Sequence, residues 1–360
     1  MKMWHLGLTL GSFTQFTAGL LAANIYTITD LGSLGGASYA QGINNLGQVV
    51  GSFDTGGGNY RAFEYTGGSM HDLLVDVSGK NCTANAINDS GMIVGTFGDN
   101  DSLHAFTFDA GTLTDLGTLG GVQSAGYAIN ASGDVVGNAF VASGQSHPFL
   151  YSRGVMHDLG TLPDNEQWSH VAYGVNDAGR VVGLVIKWGF QSFSYINGVL
   201  SDLGPGGAVA INNNGHIIMD NDAYAVLDVN GTMTYLGPGT ARDINNEDQI
   251  VGNGFAFQRA VIFEAGAVLD LNTMIDPNSG WFLEDARGIN DLGDIVGTGL
   301  NRAGQRHAFM LTPVDASVLP DIPFVPLKHV NGSVPDQRVP LIEVCVTLCL
   351  LFAVKSRLRT

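Results

Sequence analysis

The stretch GINNLGQVVG, residues 42–51, returns six more times along the chain in varied form. The copies begin at Gly42, Ala86, Ala128, Gly174, Ala210, Asp243 and Gly288. Every copy keeps one asparagine, which is Asn44, Asn88, Asn130, Asn176, Asn212, Asn245 or Asn290. A period of about 40 residues is typical of architectures in which each repeat is one supersecondary unit.

Two further phrases follow the same period. One is an aromatic or β-branched segment, exemplified by AFTF at 105–108, and the other is x-Asp-Leu-Gly, exemplified by Asp115. The Asn-x-x-Gly piece between two apolar runs favours a type I turn with a left-handed glycine, which closes a hairpin. Each repeat therefore predicts four short antiparallel strands, the size of a propeller blade. A parallel β-helix is the weaker alternative, because it does not use hairpin turns.

The repeats are out of phase with the chain ends. A lone strand around Asp30 precedes the first copy, and the last aromatic segment, AFML at 308–311, has no Asp-Leu-Gly after it. The first strand can therefore complete the last blade and remove two open edges. The sequence predicts an all-β, seven-bladed β-propeller of four-stranded antiparallel blades over residues 24–313, closed by the N-terminal strand.

The repeated phrases resemble the HAF-repeat family of bacterial extracellular proteins. The resemblance rests on Gly-Ile-Asn, on His-Ala-Phe at 104–106 and 307–309, and on DLGTLGG at 115–121. It implies export and residence at the cell surface or in the matrix, and it brings no catalytic set. The fifth and sixth copies depart from the pattern, with Met219 and Asp248 where glycine is usual.

Both ends of the chain carry targeting patterns. The pattern of residues 1–23 predicts a secretory signal peptide, and a short buried segment is the alternative. A linker over 314–333 leads to residues 334–360, where VPD, an apolar run and a basic cluster resemble PEP-CTERM and VPDSG-CTERM sorting signals. Gln337, Arg338 and Glu343 depart from that pattern. The resemblance implies a sorting protease and transient anchoring in the membrane, and a tail helix on the membrane surface is the alternative.

Composition limits the partners. The formal net charge of −17 repels phosphate backbones, which argues against a nucleic-acid partner. Three cysteines cannot build a disulfide framework. The sequence contains no G-x-S-x-G, no H-E-x-x-H and no phosphate-binding glycine loop with its lysine. We therefore expect no catalytic residue and no cofactor.

Long loops gather on one face of the predicted propeller, and binding residues are often found on such loops. The two longest, residues 161–173 and 272–286, each place a tryptophan beside carboxylates. Aromatic faces beside hydrogen-bond acceptors suit sugar rings. The candidate ligand-binding residues are Asp164, Glu166, Trp168, His170, Trp281 and Glu284. The alternative is that each tryptophan fills the gap between two blades.

Other polar residues offer weaker signals. Asp99 and Asp101 have the oxygen density for Ca²⁺, although a solvated turn explains them as well. His104, His147 and His307 repeat at equivalent positions, which favours a structural role over a metal cluster. The aspartate of Asp-Leu-Gly is expected to bond to the backbone of its own blade.

These observations predict a secreted or cell-envelope propeller without catalysis. We expect it to bind extracellular polysaccharide or a surface protein through the long-loop face. A glycan-cleaving enzyme is the alternative, and it would need loop carboxylates such as Glu166 and Glu284 to converge. Ca²⁺-dependent adhesion through Asp99 and Asp101 is a third hypothesis.

Overall fold

The computed structural model describes residues 25–73, 81–99, 101–187, 189–221, 223–254, 258–264 and 266–314. The predicted signal peptide and the predicted sorting segment lie outside these residues. The described chain folds into seven four-stranded antiparallel sheets. Within these residues, no helix is long and apolar enough to cross a membrane.

The first strand of the chain is β1 (Tyr26–Gly32), and complete blades follow it. Blade 1 contains β2 (Ser38–Ile43), β3 (Val49–Gly56), β4 (Asn59–Thr66) and β5 (Ser69–Asp72). Blade 2 contains β6 (Asn81–Ile87), β7 (Ile93–Asp99), β8 (Ser102–Asp109) and β9 (Thr112–Asp115). Blade 3 contains β10 (Gly120–Ile129), β11 (Val135–Val141), β12 (Ser146–Ser152) and β13 (Val155–Asp158).

The remaining blades keep the same strand order. Blade 4 contains β14 (Ser169–Val175), β15 (Val181–Lys187), β16 (Gly189–Ile196) and β17 (Val199–Pro205). Blade 5 contains β18 (Gly207–Ile211), β19 (Ile217–Asn221), β20 (Tyr224–Val229) and β21 (Thr232–Pro238). Blade 6 contains β22 (Thr240–Ile244), β23 (Ile250–Gly254), β24 (Arg259–Glu264) and β25 (Ala267–Asp270), and a short 3-10 helix follows at Leu271–Thr273.

Blade 7 joins the two ends of the propeller. It contains β26 (Phe282–Ile289), β27 (Ile295–Leu300) and β28 (Arg306–Pro313), and β1 is its fourth strand. The β1 strand pairs antiparallel with β28, with Tyr26 opposite Pro313. The prediction of a seven-bladed propeller closed by its N-terminal strand is confirmed.

The repeated asparagine closes the hairpin between the first two strands of each blade. In blade 1, the amides of Leu46 and Gln48 donate to Asn44 Oδ1 at 3.1 and 3.0 Å. Gly47 donates to the Asn44 carbonyl at 3.1 Å and has a φ of 73°, as a type I turn followed by a left-handed residue requires. In blade 6, Asp248 takes this glycine's place and adopts a φ of 60°.

The same asparagine also links each blade to the next. Its Nδ2 donates to the main-chain oxygen of the equivalent asparagine, as in Asn44 to Asn88 at 3.0 Å. The last bond, from Asn290 to Asn44 at 3.1 Å, closes the circle. The asparagine ring is thus a closed circuit of seven bonds that passes through Asn44, Asn88, Asn130, Asn176, Asn212, Asn245 and Asn290.

The next residue in each turn forms a second circuit, which we call the outer belt. Its backbone amide donates to Oδ1 of the equivalent side chain in the next blade, as in Asn45 to Asp89 at 2.8 Å. The belt consists of Asn45, Asp89, Ala131, Asp177, Asn213, Asn246 and Asp291. Ala131 has no side-chain acceptor, so six of the seven bonds form.

Five blades pack a buried phenylalanine against a glycine on the neighbouring strand. The Phe149 side chain is fully buried, and a Cβ added to Gly137 would lie 2.9 Å from its ring and 1.9 Å from the Ala125 carbonyl. Only glycine fits such a close approach. In blade 5, Met219 replaces the glycine and pairs with Val226 in place of a phenylalanine. The smaller partner removes the contact with a ring, and the blade keeps its four strands.

One ionisable side chain links the innermost strands of blades 6 and 7. Asp243 stands where the other copies have glycine or alanine, and its Oδ2 accepts the Ile289 amide at 3.0 Å. Burial raises the pKa of Asp243 to about 7, although its two backbone hydrogen bonds have the opposite effect. The folded protein therefore favours the protonated form of this carboxyl group.

We predict that Ala131→Asn stabilises the propeller. The new side chain would accept the Asp89 amide and complete the outer belt, which should raise the free energy of unfolding by about 0.5–1.5 kcal/mol in urea denaturation. Ala178→Asn is the matched control, because it adds the same side chain at the next turn position. An equal effect of both variants would contradict the prediction.

We also predict a pH dependence from Asp243. Because its folded pKa lies above the unfolded value, the folded chain binds more protons between about pH 4 and 7, and stability contributed by this group falls as pH rises through that window. Asp243→Ala should remove this contribution. From pH 5 to pH 8 the wild-type protein should lose about 2–3 kcal/mol relative to the variant in urea denaturation. Parallel pH profiles for the two proteins would refute the assignment.

Candidate functional site

A polar pair on the two outer strands repeats around the propeller. A side chain at the start of the third strand contacts the aspartate of Asp-Leu-Gly on the fourth, as in His104 Nδ1 to Asp115 at 2.9 Å. The same aspartate accepts the Gly117 amide at 2.8 Å, so its predicted bond to the backbone is present. Equivalent pairs are Arg61–Asp72, His147–Asp158, Gln191–Asp202, Arg259–Asp270 and His307–Asp30.

Blade 5 replaces this polar pair with two tyrosines. Tyr224 and Tyr235 occupy the equivalent positions, and their rings meet edge to face with centroids 6.3 Å apart. Tyr224 is 49% exposed and Tyr235 is 63% exposed. Large aromatic side chains that stay in water at a position elsewhere used for structure point to binding.

A third exposed aromatic residue lies on the neighbouring blade. Phe190 is 51% exposed at the start of β16, and its carbonyl accepts the Gly206 amide at the junction with blade 5. Together, Phe190, Tyr224 and Tyr235 form what we call the aromatic patch, on the face that carries the long loops.

A network of hydrogen-bonding side chains lies on the other face of the blade 4 sheet from Phe190, because Phe190 and Gln191 are consecutive in one strand. Gln191 donates to Asp202 and accepts from Lys187. Lys187 also donates to Asn165 Oδ1 at 3.3 Å, which connects this network to the loop before blade 4. The network therefore holds that loop and does not belong to the aromatic patch.

The candidates in the first long loop have separate roles. Trp168 is half-buried and packs against a hydrophobic cluster drawn from blades 3 and 4. His170 is 0% exposed; its Nε2 accepts the Leu162 amide at 3.1 Å, and its Nδ1 lies 3.0 Å from the Trp168 carbonyl. Burial lowers the pKa of His170. Both ring nitrogens are thus used to hold the loop.

The carboxylates of that loop are at its exposed tip. Asp164 has a φ of 63°, and its amide donates to Glu166 Oε1 at 3.2 Å. Both side chains face solvent. They lie close to the network around Asn165 and are available to a ligand at the border of blade 4.

The candidates in the second long loop belong to blade 7. Trp281 packs against Phe309 with ring centroids 6.2 Å apart. Glu284 accepts two hydrogen bonds from Arg306, at 2.8 and 2.9 Å. Glu166 and Glu284 enter from different blades, and Glu284 is occupied by its arginine, so the structure does not assemble them into a carboxylate pair.

The proposed calcium residues lie on one hairpin of blade 2. Asp99 ends β7 and Asp101 precedes β8, and both are exposed. Among the residues that the structure describes, no group of three or more histidine, cysteine or acidic side chains is placed to hold a metal ion.

A polar cavity opens on the axis at the opposite face. It has a volume of about 240 Å³ and is lined by the asparagine ring, the outer belt and the apolar residue before each asparagine, such as Ile43. The carboxylates of Asp89, Asp177 and Asp291 all accept hydrogen bonds from the belt. Through these hydrogen bonds, the side chains that line the cavity hold neighbouring blades together.

Comparison with known proteins identifies the architecture. No protein-family model and no curated protein matches this chain. A structure of YCF48 bound to a D1 peptide is 12% identical with a TM-score of 0.50, covering 83% of this chain and 99% of that one. YCF48 from Cyanidioschyzon merolae is 10% identical with a TM-score of 0.50, covering 79% and 98%. A gluconolactonase from Xanthomonas campestris is 11% identical with a TM-score of 0.43, covering 83% and 94%. The two likenesses with a TM-score of 0.50 show a shared fold.

Proposed function

We propose that this protein is a non-catalytic propeller that binds extracellular polysaccharide through the long-loop face. The aromatic patch carries the proposal. In the other six blades the positions of Tyr224 and Tyr235 hold a structural polar pair, whereas here they hold two exposed rings. Tyr224 and Tyr235 therefore do not form the polar pair that links the two outer strands in the other blades, and their rings stay exposed.

The chemistry of the patch suits a neutral sugar chain. Aromatic rings stack on the C–H faces of sugars, and the rings of Tyr224 and Tyr235 are exposed enough to do so. Because Phe190 and the tyrosine pair lie on neighbouring blades, successive sugar units of one chain can contact both.

A binding role is favoured over hydrolysis by the state of the carboxylates. Glycoside hydrolysis uses two carboxyl groups about 5–10 Å apart. Glu284 is held by Arg306 in blade 7, while Asp164 and Glu166 lie together at a solvated loop tip of blade 4. A glycan-cleaving activity through Asp164 and Glu166 is the alternative, and product analysis separates it from binding.

The proposal includes export to the cell surface or matrix. It rests on the signal-like residues 1–23 and on the sorting-like segment 334–360, where a membrane protease would act. Mass spectrometry of the secreted protein would locate both cleavage sites.

We predict that removal of the exposed rings abolishes polysaccharide binding. The full chain is tested by affinity electrophoresis against a neutral β-glucan, dextran and alginate. Tyr235→Ala should weaken binding about tenfold, the Tyr224→Ala/Tyr235→Ala double variant should weaken it further, and Tyr235→Phe should retain it.

Leu46→Ala is the control, because Leu46 is a large exposed apolar side chain on the opposite face. Unchanged binding by the double variant, or no binding of any polysaccharide by the wild-type protein, would overturn the proposal. If the wild-type protein releases reducing sugar and Glu166→Gln abolishes that release, a glycan-cleaving enzyme would replace the binding proposal. Binding lost in EDTA and restored by Ca²⁺, and removed by Asp101→Asn, would favour calcium-dependent adhesion.

A further inference from the structure

Every innermost strand carries a β-bulge three residues before its asparagine. In blade 1, Ala40 pairs with Gly51 and Gly42 pairs with Val50, which leaves Gln41 without an opposite residue. The same shift occurs in all seven blades. The bulged residues, which we call the collar, are Gln41, Asn85, Tyr127, Tyr173, Val209, Arg242 and Arg287.

Contacts between neighbouring blades place the collar around the propeller axis. The rings of Tyr127 and Tyr173 stand 4.9 Å apart, and Arg287 donates to Gln41 Oε1 at 3.3 Å across the closure between blades 7 and 1. The axial cavity is lined by apolar residues such as Ile43. The collar residues come two positions earlier in each strand, on the long-loop side of those apolar residues. Bulges often redirect side chains next to functional sites.

The collar is not uniform in chemistry. Tyr127, Tyr173 and Val209 form an apolar arc in blades 3 to 5, whereas Arg242 and Arg287 form a cationic arc in blades 6 and 7. Burial raises the pKa of Tyr127 to about 12, so its hydroxyl group is neutral at physiological pH. Over a third of each arginine side chain is exposed, which leaves both guanidinium groups accessible.

One carboxylate stands between the two arginines. Asp285 Oδ2 accepts from Arg287 Nε at 2.7 Å, and Asp285 Oδ1 lies 4.0 Å from Arg242 Nε. That Oδ1 is buried and accepts no hydrogen bond from the described residues. Its burial keeps this oxygen out of reach of a ligand, whereas Arg242 is exposed and retains its donors for a bound group.

Two further acids lie near Arg242 and are engaged by backbone. Asp220 accepts the Ala241 amide at 3.0 Å, and Asp243 accepts the Ile289 amide at 3.0 Å. Burial raises the pKa of Asp220 to about 6 and that of Asp243 to about 7. Near pH 6, therefore, much of their negative charge is absent and the two arginines dominate this arc.

We propose that the collar binds a small hydroxylated carboxylate, such as a uronic acid, between the tyrosine pair and the two arginines. Guanidinium groups recognise a carboxylate, the tyrosine arc offers a ring face, and Gln41 and Asn85 offer partners for hydroxyl groups. This site is separate from the aromatic patch on the rim, and it does not depend on the function proposed for that patch.

The test uses D-glucuronate and D-glucose, which differ only in the carboxylate. Saturation-transfer NMR and calorimetry on the full chain at pH 6 should show glucuronate binding at least tenfold tighter than glucose. Arg242→Gln should weaken glucuronate binding about tenfold, and Arg242→Lys should recover part of it. Arg302→Gln is the matched control, since Arg302 lies on an exposed hairpin of blade 7 and should leave binding unchanged.

Equal affinity for the two sugars, no detectable glucuronate binding, or an effect of Arg302→Gln equal to that of Arg242→Gln would overturn the proposal. Thermal unfolding of each variant separates lost binding from lost folding. The Tyr224→Ala/Tyr235→Ala variant should bind glucuronate like the wild-type protein, so failure of the rim proposal and failure of this one are distinguishable.

Discussion

The propeller depends on the side-chain bond from one repeated asparagine to the next around the axis. Each asparagine uses its oxygen to close its own hairpin and its nitrogen to hold the neighbouring blade. The circuit spans the whole fold, because Asn290 donates to Asn44. A buried amide left without such partners would cost about 1–3 kcal/mol, so the ring stabilises the contact between every two neighbouring blades.

These stabilising contacts explain which positions of the repeat can differ between blades. The asparagine ring joins all seven blades, glycine–phenylalanine contacts pack five of them and outer polar pairs occur in six, so residues in these places are constrained by their neighbours. The collar residues differ in almost every blade, although all seven share one bulge. At the rim, Tyr224 and Tyr235 replace a pair that six blades keep. Departures from the repeat are therefore better guides to binding than the repeat itself.

The sequence was sufficient for the fold, because its signals are local. In the turn at Asn44, the bonded residues lie four positions apart. The Gly117 amide donates to Asp115, only two positions away. The asparagine ring joins residues about forty positions apart, which no local pattern reveals. Tyr235 occupies the aspartate position of Asp-Leu-Gly in its repeat, whereas its partner Tyr224 is identified only by the strand register. The roles of Trp168 and His170 depended on how their loop packs, which composition does not specify.

The net charge of −17 gives the two proposed sites different selectivity. At physiological salt the field of an exposed charge decays within about 8 Å, yet a long chain of carboxylates would still meet many acidic groups across the rim. The aromatic patch therefore suits neutral polymers, whose rings stack without electrostatic cost. At the collar, the proposed ligand is a single carboxylate that would meet Arg242 and Arg287 at contact distance, where salt screens little. The proposed site would therefore accept a small carboxylate even though the acidic surface disfavours acidic polymers.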